Sequence, residues 1–322
     1  MAAGTTRTTR SAFGAASAVV AVAILLISLA ACSSGGVLPG AAGANAGAGL
    51  TTSSASAGAP SASSAAAGLA GEQPADGPAH ADPLTGAAAG YLAQRAGTVL
   101  AAVYDVRTGQ TWRLGDGPPQ AEASVVKLDI LQALLAEWPG GLPASEASLA
   151  QRMIENSDND AATSLWHAAG GASGLSAYNA RAGLTRTTPS SCVVCTGFAW
   201  PGWGLTTTIP ADQLALLKAL VQPGPLLTAG GRRFALSLME NVAPDQAWGV
   251  SGGVPAGVTV ALKNGWLPLN GAQTDWQINS VGWVSGDGRD YLVAVFSTGN
   301  PNEQYGIDTI NGLSALIWQA MH

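Results

Sequence analysis

From residue 84 to the C-terminus, apolar positions recur at two spacings whose order outlines a fold. Residues 84–96 have helical spacing, and 98–106 (TVLAAVYDV) read as a strand that turns at Arg107-Thr108-Gly109 into a second strand over 110–114. The middle is helical. Apolar residues fall three and four apart in 124–138, 148–156, 160–169, 211–221 and 232–241, with Gly and Pro between most of these segments. Strand signals return in 258–262, 276–284 and 291–297, and a last amphipathic helix runs over about 303–318. This order predicts an α+β domain: a five-stranded antiparallel sheet built from both ends of the domain and flanked by terminal helices, with a reduced all-helical lobe inserted in the middle.

Upstream the pattern changes. Arg7 and Arg10 precede an apolar run over 18–31, broken only by Ser28, and Cys32 follows. This is the layout of a secretory signal, and the run is short for a membrane span, which needs about 20 residues. Leu29-Ala30-Ala31-Cys32 resembles a bacterial lipobox. That resemblance implies removal of a signal peptide over 1–31 and lipidation of Cys32, palmitate included. Residues 33–84 are almost wholly Ala, Gly, Ser, Thr and Pro, with too few large apolar groups to offset the entropy of ordering. Cys32 and this stretch read as a lipidated, disordered tether (32–84) with a root-mean-square reach of roughly 40 Å. A folded domain over 85–322 follows, held at the outer face of the cell membrane through the lipid alone.

Composition narrows what the domain can do. Only 11% of residues are charged, the formal charge is -6, and there are three lysines, so the clustered cations that nucleic-acid binding needs are missing. Three cysteines make no disulfide framework, and no Cys/His set stands at zinc spacing, so neither a metal nor another cofactor is expected. Cys192-Val193-Val194-Cys195, in an exported chain without a thioredoxin-like context, reads as a small disulfide. The domain can bury a sizeable core on its own, and a monomer is expected.

Candidate chemistry begins at Ser124-Val125-Val126-Lys127, which opens the first central helix. A spacing of three puts hydroxyl and amine on one helical face. A serine becomes nucleophilic only when a neighbour takes its proton, and lysine can do so only if burial or a nearby cation lowers its pKa from about 10.4. A second cation is therefore required nearby. Ser157-Asp158-Asn159 and Lys263-Asn264-Gly265 follow in order along the chain. Taken singly, the first is also an ordinary helix-capping turn and the second an edge-strand charge.

Together these motifs resemble the SxxK, SDN and K-T/S-G elements of the serine β-lactamases and penicillin-binding proteins, nearest to class A, here in the form of an actinobacterial-type lipoprotein. Two of the three lysines fall on motif positions. The resemblance implies that Ser124 is the nucleophile, Lys127 its proton acceptor, Ser157 a proton relay and Lys263 the second cation. It implies an oxyanion hole from the N–H groups of Ser124 and Trp266, and substrate binding by Asn159, Asn264 and Gly265. A β-lactam or a peptidoglycan-derived peptide is the ligand it implies, with a D-Ala carboxypeptidase-like activity among the possibilities.

The chain departs from that pattern in three places. Class A enzymes hydrolyse the acyl-enzyme with a glutamate in an omega loop, acting through a water. Here no acidic residue lies in 161–211, and the corresponding stretch, 184–210, carries Cys192, Cys195, Trp200 and Trp203 instead. Asn264 stands where the family usually has Thr or Ser. The gap between Ser124 and Ser157 leaves room for little more than two helices. Acylation with slow or no hydrolysis is the expectation, and a catalytically silent envelope-binding protein on the same fold is the alternative. Gly249-Val250-Ser251-Gly252-Gly253 also fits GxSxG, but Pro255 and Gly257 exclude the helix that motif needs, and only His322 follows as a triad histidine.

Overall fold

The computed structural model describes residues 80–271 and 273–322; the leader, Cys32 and most of the tether lie outside the described residues. The domain opens with α1 (Ala87–Leu92), β1 (Thr98–Asp105), β2 (Thr111–Leu114) and the two-residue β3 (Gln120–Ala121). The lobe follows, with α2 (Val126–Glu137), α3 (Ala144–Glu155), α4 (Asn159–Ala168), α5 (Gly171–Ala182), β4 (Thr207–Thr208), α6 (Pro210–Val221) and α7 (Ala229–Glu240). The chain then returns to the sheet as β5 (Thr259–Pro268), β6 (Trp276–Gly286) and β7 (Arg289–Asn300), and ends in α8 (Glu303–Ala320). The main sheet has the order β2-β1-β7-β6-β5 and is antiparallel throughout, which matches the α+β expectation.

Strand alternation divides the core between the two faces of this sheet. Ala101, Val103, Val293 and Val295 pack with α1 and α8, while Ala102, Tyr104, Leu292, Ala294 and Phe296 pack against the lobe. Within the lobe, α2 is buried on every side from Val126 to Leu135. An apolar stripe would surface such a helix; apolar residues all round place it at the centre. Lys127, Asp129 and Gln132 are carried into the interior with it.

The structure differs from the sequence-based outline in four places. The strand expected over 258–262 continues to Pro268, because β6 pairs with it through Lys263↔Val281 to Pro268↔Trp276 and overrides the weak strand preference of Asn and Gly. The Lys263-Asn264-Gly265 motif therefore lies inside β5. The helix α5 (GASGLSAYNARA) is rich in poor helix formers and is held by burial of Leu175 and Tyr178. The first helix is only six residues, preceded by Gly86 at a positive φ of 54°. Finally, residues 80–84, at the end of the stretch read as tether, pack on the domain: Leu84 is buried, and His80 Nε2 lies 3.3 Å from the buried Asp105 carboxylate.

Candidate active site

Two segments deliver the first motif. A 3-10 turn, Ala123–Val125, runs directly into α2, so Ser124 sits at the junction and Lys127 one turn on. Ala123 holds φ 51° and Ser157 φ 55°, left-handed conformations that cost a non-glycine residue of order 1–3 kcal/mol. The surroundings hold both in place. Asn279 Nδ2 donates to the carbonyls of Ala121 (2.8 Å) and Glu122 (2.9 Å), tying β6 to the segment before Ser124. Asp158 caps α4 by accepting from the Ala161 amide, so Ser157 and Asn159 point back toward α2.

Lys127 Nζ lies 3.0 Å from Ser124 Oγ, 3.0 Å from Ser157 Oγ, 2.6 Å from the Ser157 carbonyl and 2.8 Å from Asn159 Oδ1. Lys263 Nζ donates to the same Ser157 hydroxyl at 3.1 Å and to the Asn264 carbonyl at 2.8 Å. Both amines are buried. Burial pushes the Lys263 pKa down to about 7, and burial, then the Lys263 charge, hold Lys127 well below the usual amine range. Two ammonium ions on one hydroxyl repel, and a neutral Lys127 relieves this. A neutral amine has two N–H bonds for four oxygen neighbours, so its lone pair is left to accept a proton from a hydroxyl. That is the geometry of a general base.

Gly265 allows the third motif to close on the first. A Cβ at this position would lie 2.6 Å from the Glu122 carbonyl, 2.7 Å from the Ser124 amide and 2.8 Å from the Val125 amide, all backbone atoms. Only a glycine lets β5 approach so near. The backbone at Gly265 thereby lies directly against the Ser124 and Val125 amides, and β5 is the edge strand of the sheet. The sequence-based expectation for Asn264 meets a different arrangement. Both hydrogens of its Nδ2 go to the carbonyls of Gln246 (2.7 Å) and Trp248 (3.0 Å), and its Oδ1 accepts from Ser280 Oγ (2.6 Å). The side chain is buried and its amide is fully engaged, so it has no donor left for a substrate carboxylate.

The loop between α5 and α6 covers the site. Cys192 and Cys195 form a disulfide, and Gly202 packs on it with no room for a Cβ. Trp203 follows, buried, with its ring 5.1 Å from Lys127 Nζ and its Nε1 donating to Thr163 Oγ1 at 3.0 Å. Trp200, by contrast, is among the exposed large side chains. The GxSxG serine, Ser251, lies in a 3-10 turn, and His322 Nδ1 is at the Gln319 carbonyl.

Behind the site lie three carboxyl groups that sequence reasoning did not single out: Glu122, Asp129 and Asp212, all buried. Desolvation holds Glu122 well above the ordinary carboxylate range and pushes Asp129 up to about 8. A carboxyl whose pKa is raised on folding binds its proton more tightly in the native state, so stability falls as pH rises from the unfolded value, about 4, to the folded one, about 8. Asp129→Asn is therefore expected to flatten the decline of unfolding free energy over pH 4–8 by up to about 1.4 kcal/mol per pH unit. Urea titrations at a series of pH values measure it; an unchanged slope refutes the protonated carboxyl.

Residues 135–321 match the family described as the beta-lactamase enzyme family. The chain belongs to that family. The matched span contains Ser157–Asn159 and Lys263–Trp266 and begins after Ser124 and Lys127, whose place beside them rests on the geometry above. LppW of Mycobacterium tuberculosis and Mycobacterium bovis, a name that carries the word lipoprotein, is 29% identical over 213 residues, covering 62% of this chain and 63% of the relative. This chain thus spans less than two thirds of those relatives. Among solved structures, a β-lactamase from Xanthomonas campestris superposes with a TM-score of 0.61 at 19% identity, over 73% of this chain and 96% of that one. The TLA-1 extended-spectrum β-lactamase gives 0.62 at 16%, over 72% and 95%, and an ancestral class A β-lactamase 0.60 at 22%, over 72% and 98%. At these identities the likeness is one of fold. Within the β-lactamase frame, the residues that sequence reasoning missed are Asn279, Thr163 and the three buried acids, because each stands outside any short motif.

Proposed function

We propose that this β-lactamase-family protein is an envelope lipoprotein, anchored at Cys32 after loss of residues 1–31 and extended on the tether, whose domain forms an acyl-serine with a β-lactam or a peptidoglycan-derived peptide. The observation that carries the reading is the Ser157 hydroxyl shared by two buried amines, one of them 3.0 Å from Ser124 Oγ. Lys127 takes the Ser124 proton as Oγ bonds to the substrate carbonyl carbon. The oxygen charge that develops falls to the Ser124 and Trp266 amides, each donor of this kind being worth roughly 3–4 kcal/mol. As the carbon–nitrogen bond breaks, the proton passes through Ser157 to the leaving nitrogen. Lys263 holds Ser157 in place and supplies positive charge.

Release of the acyl group by water needs a base near the ester. The loop that covers the site contributes a tryptophan and a disulfide there, and no carboxylate occurs in 161–211. Hydrolysis is accordingly slow, and the acyl-enzyme accumulates. Intact-protein mass after incubation with a penicillin is the test. The expected result is a mass gain of one penicillin that persists and that Ser124→Ala abolishes. No gain at any concentration favours the alternative, a binding protein that keeps the fold without turnover, an alternative that the acid-free loop also suits.

A further inference from the structure

The turn that presents Ser124 is anchored by side-chain amides that take no part in the proton transfers. On the lobe-facing side of β6, in phase with the core residue Val281, Gln277 and Asn279 are buried. Gln277 Nε2 donates to Gln120 Oε1 of β3 at 2.9 Å and to Asn279 Oδ1 at 2.6 Å. Asn279 Nδ2 donates in turn to the Ala121 and Glu122 carbonyls at 2.8 and 2.9 Å. Both hydrogens of each nitrogen are used, and the direction of the chain is fixed, because a reversed Asn279 amide would set its oxygen against two carbonyl oxygens.

The two carbonyls directly precede Ala123, whose φ of 51° an alanine keeps only where its surroundings impose it. The Glu122 carbonyl also accepts from the Val125 amide at 3.1 Å, closing the 3-10 turn that contains Ser124. One peptide oxygen thus joins the anchor on β6 to the turn that aims the nucleophile. Without the Asn279 donor two buried carbonyls each lose a partner, and relaxation of Ala123 toward negative φ turns the Ser124 amide and hydroxyl away from Lys127. We propose that Asn279, oriented by Gln277, is a positioning residue for acylation: it holds the Ser124 hydroxyl in register with Lys127 without touching substrate. The assignment rests on the acyl-serine reading and deepens it.

The test compares the full chain carrying Asn279→Leu, a change that nearly conserves volume, with Leu313→Ala, which truncates a buried residue of α8 on the other face of the sheet. Time-resolved intact-protein mass over a series of benzylpenicillin concentrations separates the limiting acylation rate from the half-saturating concentration. A misplacement of about 1 Å costs on the order of 10²-fold, so Asn279→Leu is expected to lower the limiting rate by about tenfold or more. The half-saturating concentration and the pH profile stay as in the wild type, because Lys127 keeps its surroundings. Gln277→Leu, which removes only the group that orients Asn279, is expected to lower the rate by about threefold, and it carries the test where Asn279→Leu does not fold. Leu313→Ala is expected to acylate at the wild-type rate. An unchanged limiting rate in the Asn279 and Gln277 variants, a loss confined to the half-saturating concentration, a slowing explained by a shifted pH profile, or an equal loss in Leu313→Ala overturns the proposal. A wild-type protein that is never acylated defeats the acyl-serine reading instead, and amide hydrogen exchange then decides the anchor. Faster exchange over 121–125 in Asn279→Leu but not in Leu313→Ala sustains it, and unchanged exchange refutes it.

Discussion

Lys127→Ala is expected to slow acylation of Ser124 by about 10²- to 10⁴-fold, the range a positioned general base contributes. Lys127→Arg is expected to do the same although it keeps the charge, because a guanidinium does not give up its proton in a protein. The pair separates a base from a mere positive charge, and time-resolved intact-protein mass with a penicillin reads both. An Arg variant that acylates at near wild-type rate refutes the assignment. The pH profile adds a second reading. Acylation needs Lys127 neutral, and burial with the Lys263 charge already lowers its pKa well below the usual amine range. It also needs Lys263 charged, and Lys263 loses its proton at about 7. The rate is therefore expected to rise through the lowered Lys127 pKa and to fall as pH climbs beyond about 7. The same amines oppose stability: since their pKa values are depressed on folding, stability gains as pH rises toward the unfolded value near 10.4, for Lys263 from about 7 upward.

Trp203→Ala is the substitution with the largest expected effect on stability. The side chain is among the largest that are fully buried, and such truncations cost about 3–5 kcal/mol. The site should respond as well. Removing the ring that lies 5.1 Å from Lys127 Nζ admits water to the amine and returns its pKa toward the ordinary range, so the acylation profile moves to higher pH. Trp203→Phe keeps the apolar cover but leaves Thr163 Oγ1 without the indole donor, and is expected to lose less stability and to keep the pH profile. Urea denaturation measures the first effect and acylation rates over pH the second. A destabilised Trp203→Ala protein with an unshifted profile means that Trp203 supports the loop without tuning Lys127.

The fold was legible because its elements carry their own periodicity. TVLAAVYDV, the run of β7 and the stripe of α8 each state their type within a few residues, and β-strands at both ends of the domain with helices between leave few topologies. The first motif was legible because a spacing of three on a helix is a statement about distance, and the other two because they follow it in the family's order. Asn264 was not. Its amide chemistry suits a substrate carboxylate, and whether that amide is free depends on where Gln246 and Trp248 fold, a matter local sequence does not contain. Trp203 and Trp200 stand three residues apart in one loop, yet one is buried beside Lys127 and the other is exposed.

By itself the sequence pointed to the family, most of the order of strands and helices, and the three motifs that meet in the fold, because residue type and local spacing limit chemistry and secondary structure directly. Tertiary structure alone decided that Lys127 and Lys263 share the Ser157 hydroxyl, that Asn264 turns away, that three carboxyl groups are buried behind the site, and that Trp248 meets Trp266 edge to face. Those outcomes depend on contacts between segments more than a hundred residues apart in places, such as Lys263 with Ser157 and Asn279 with Glu122. Burial and long-range pairing set them, and neither is a property of any short stretch of chain.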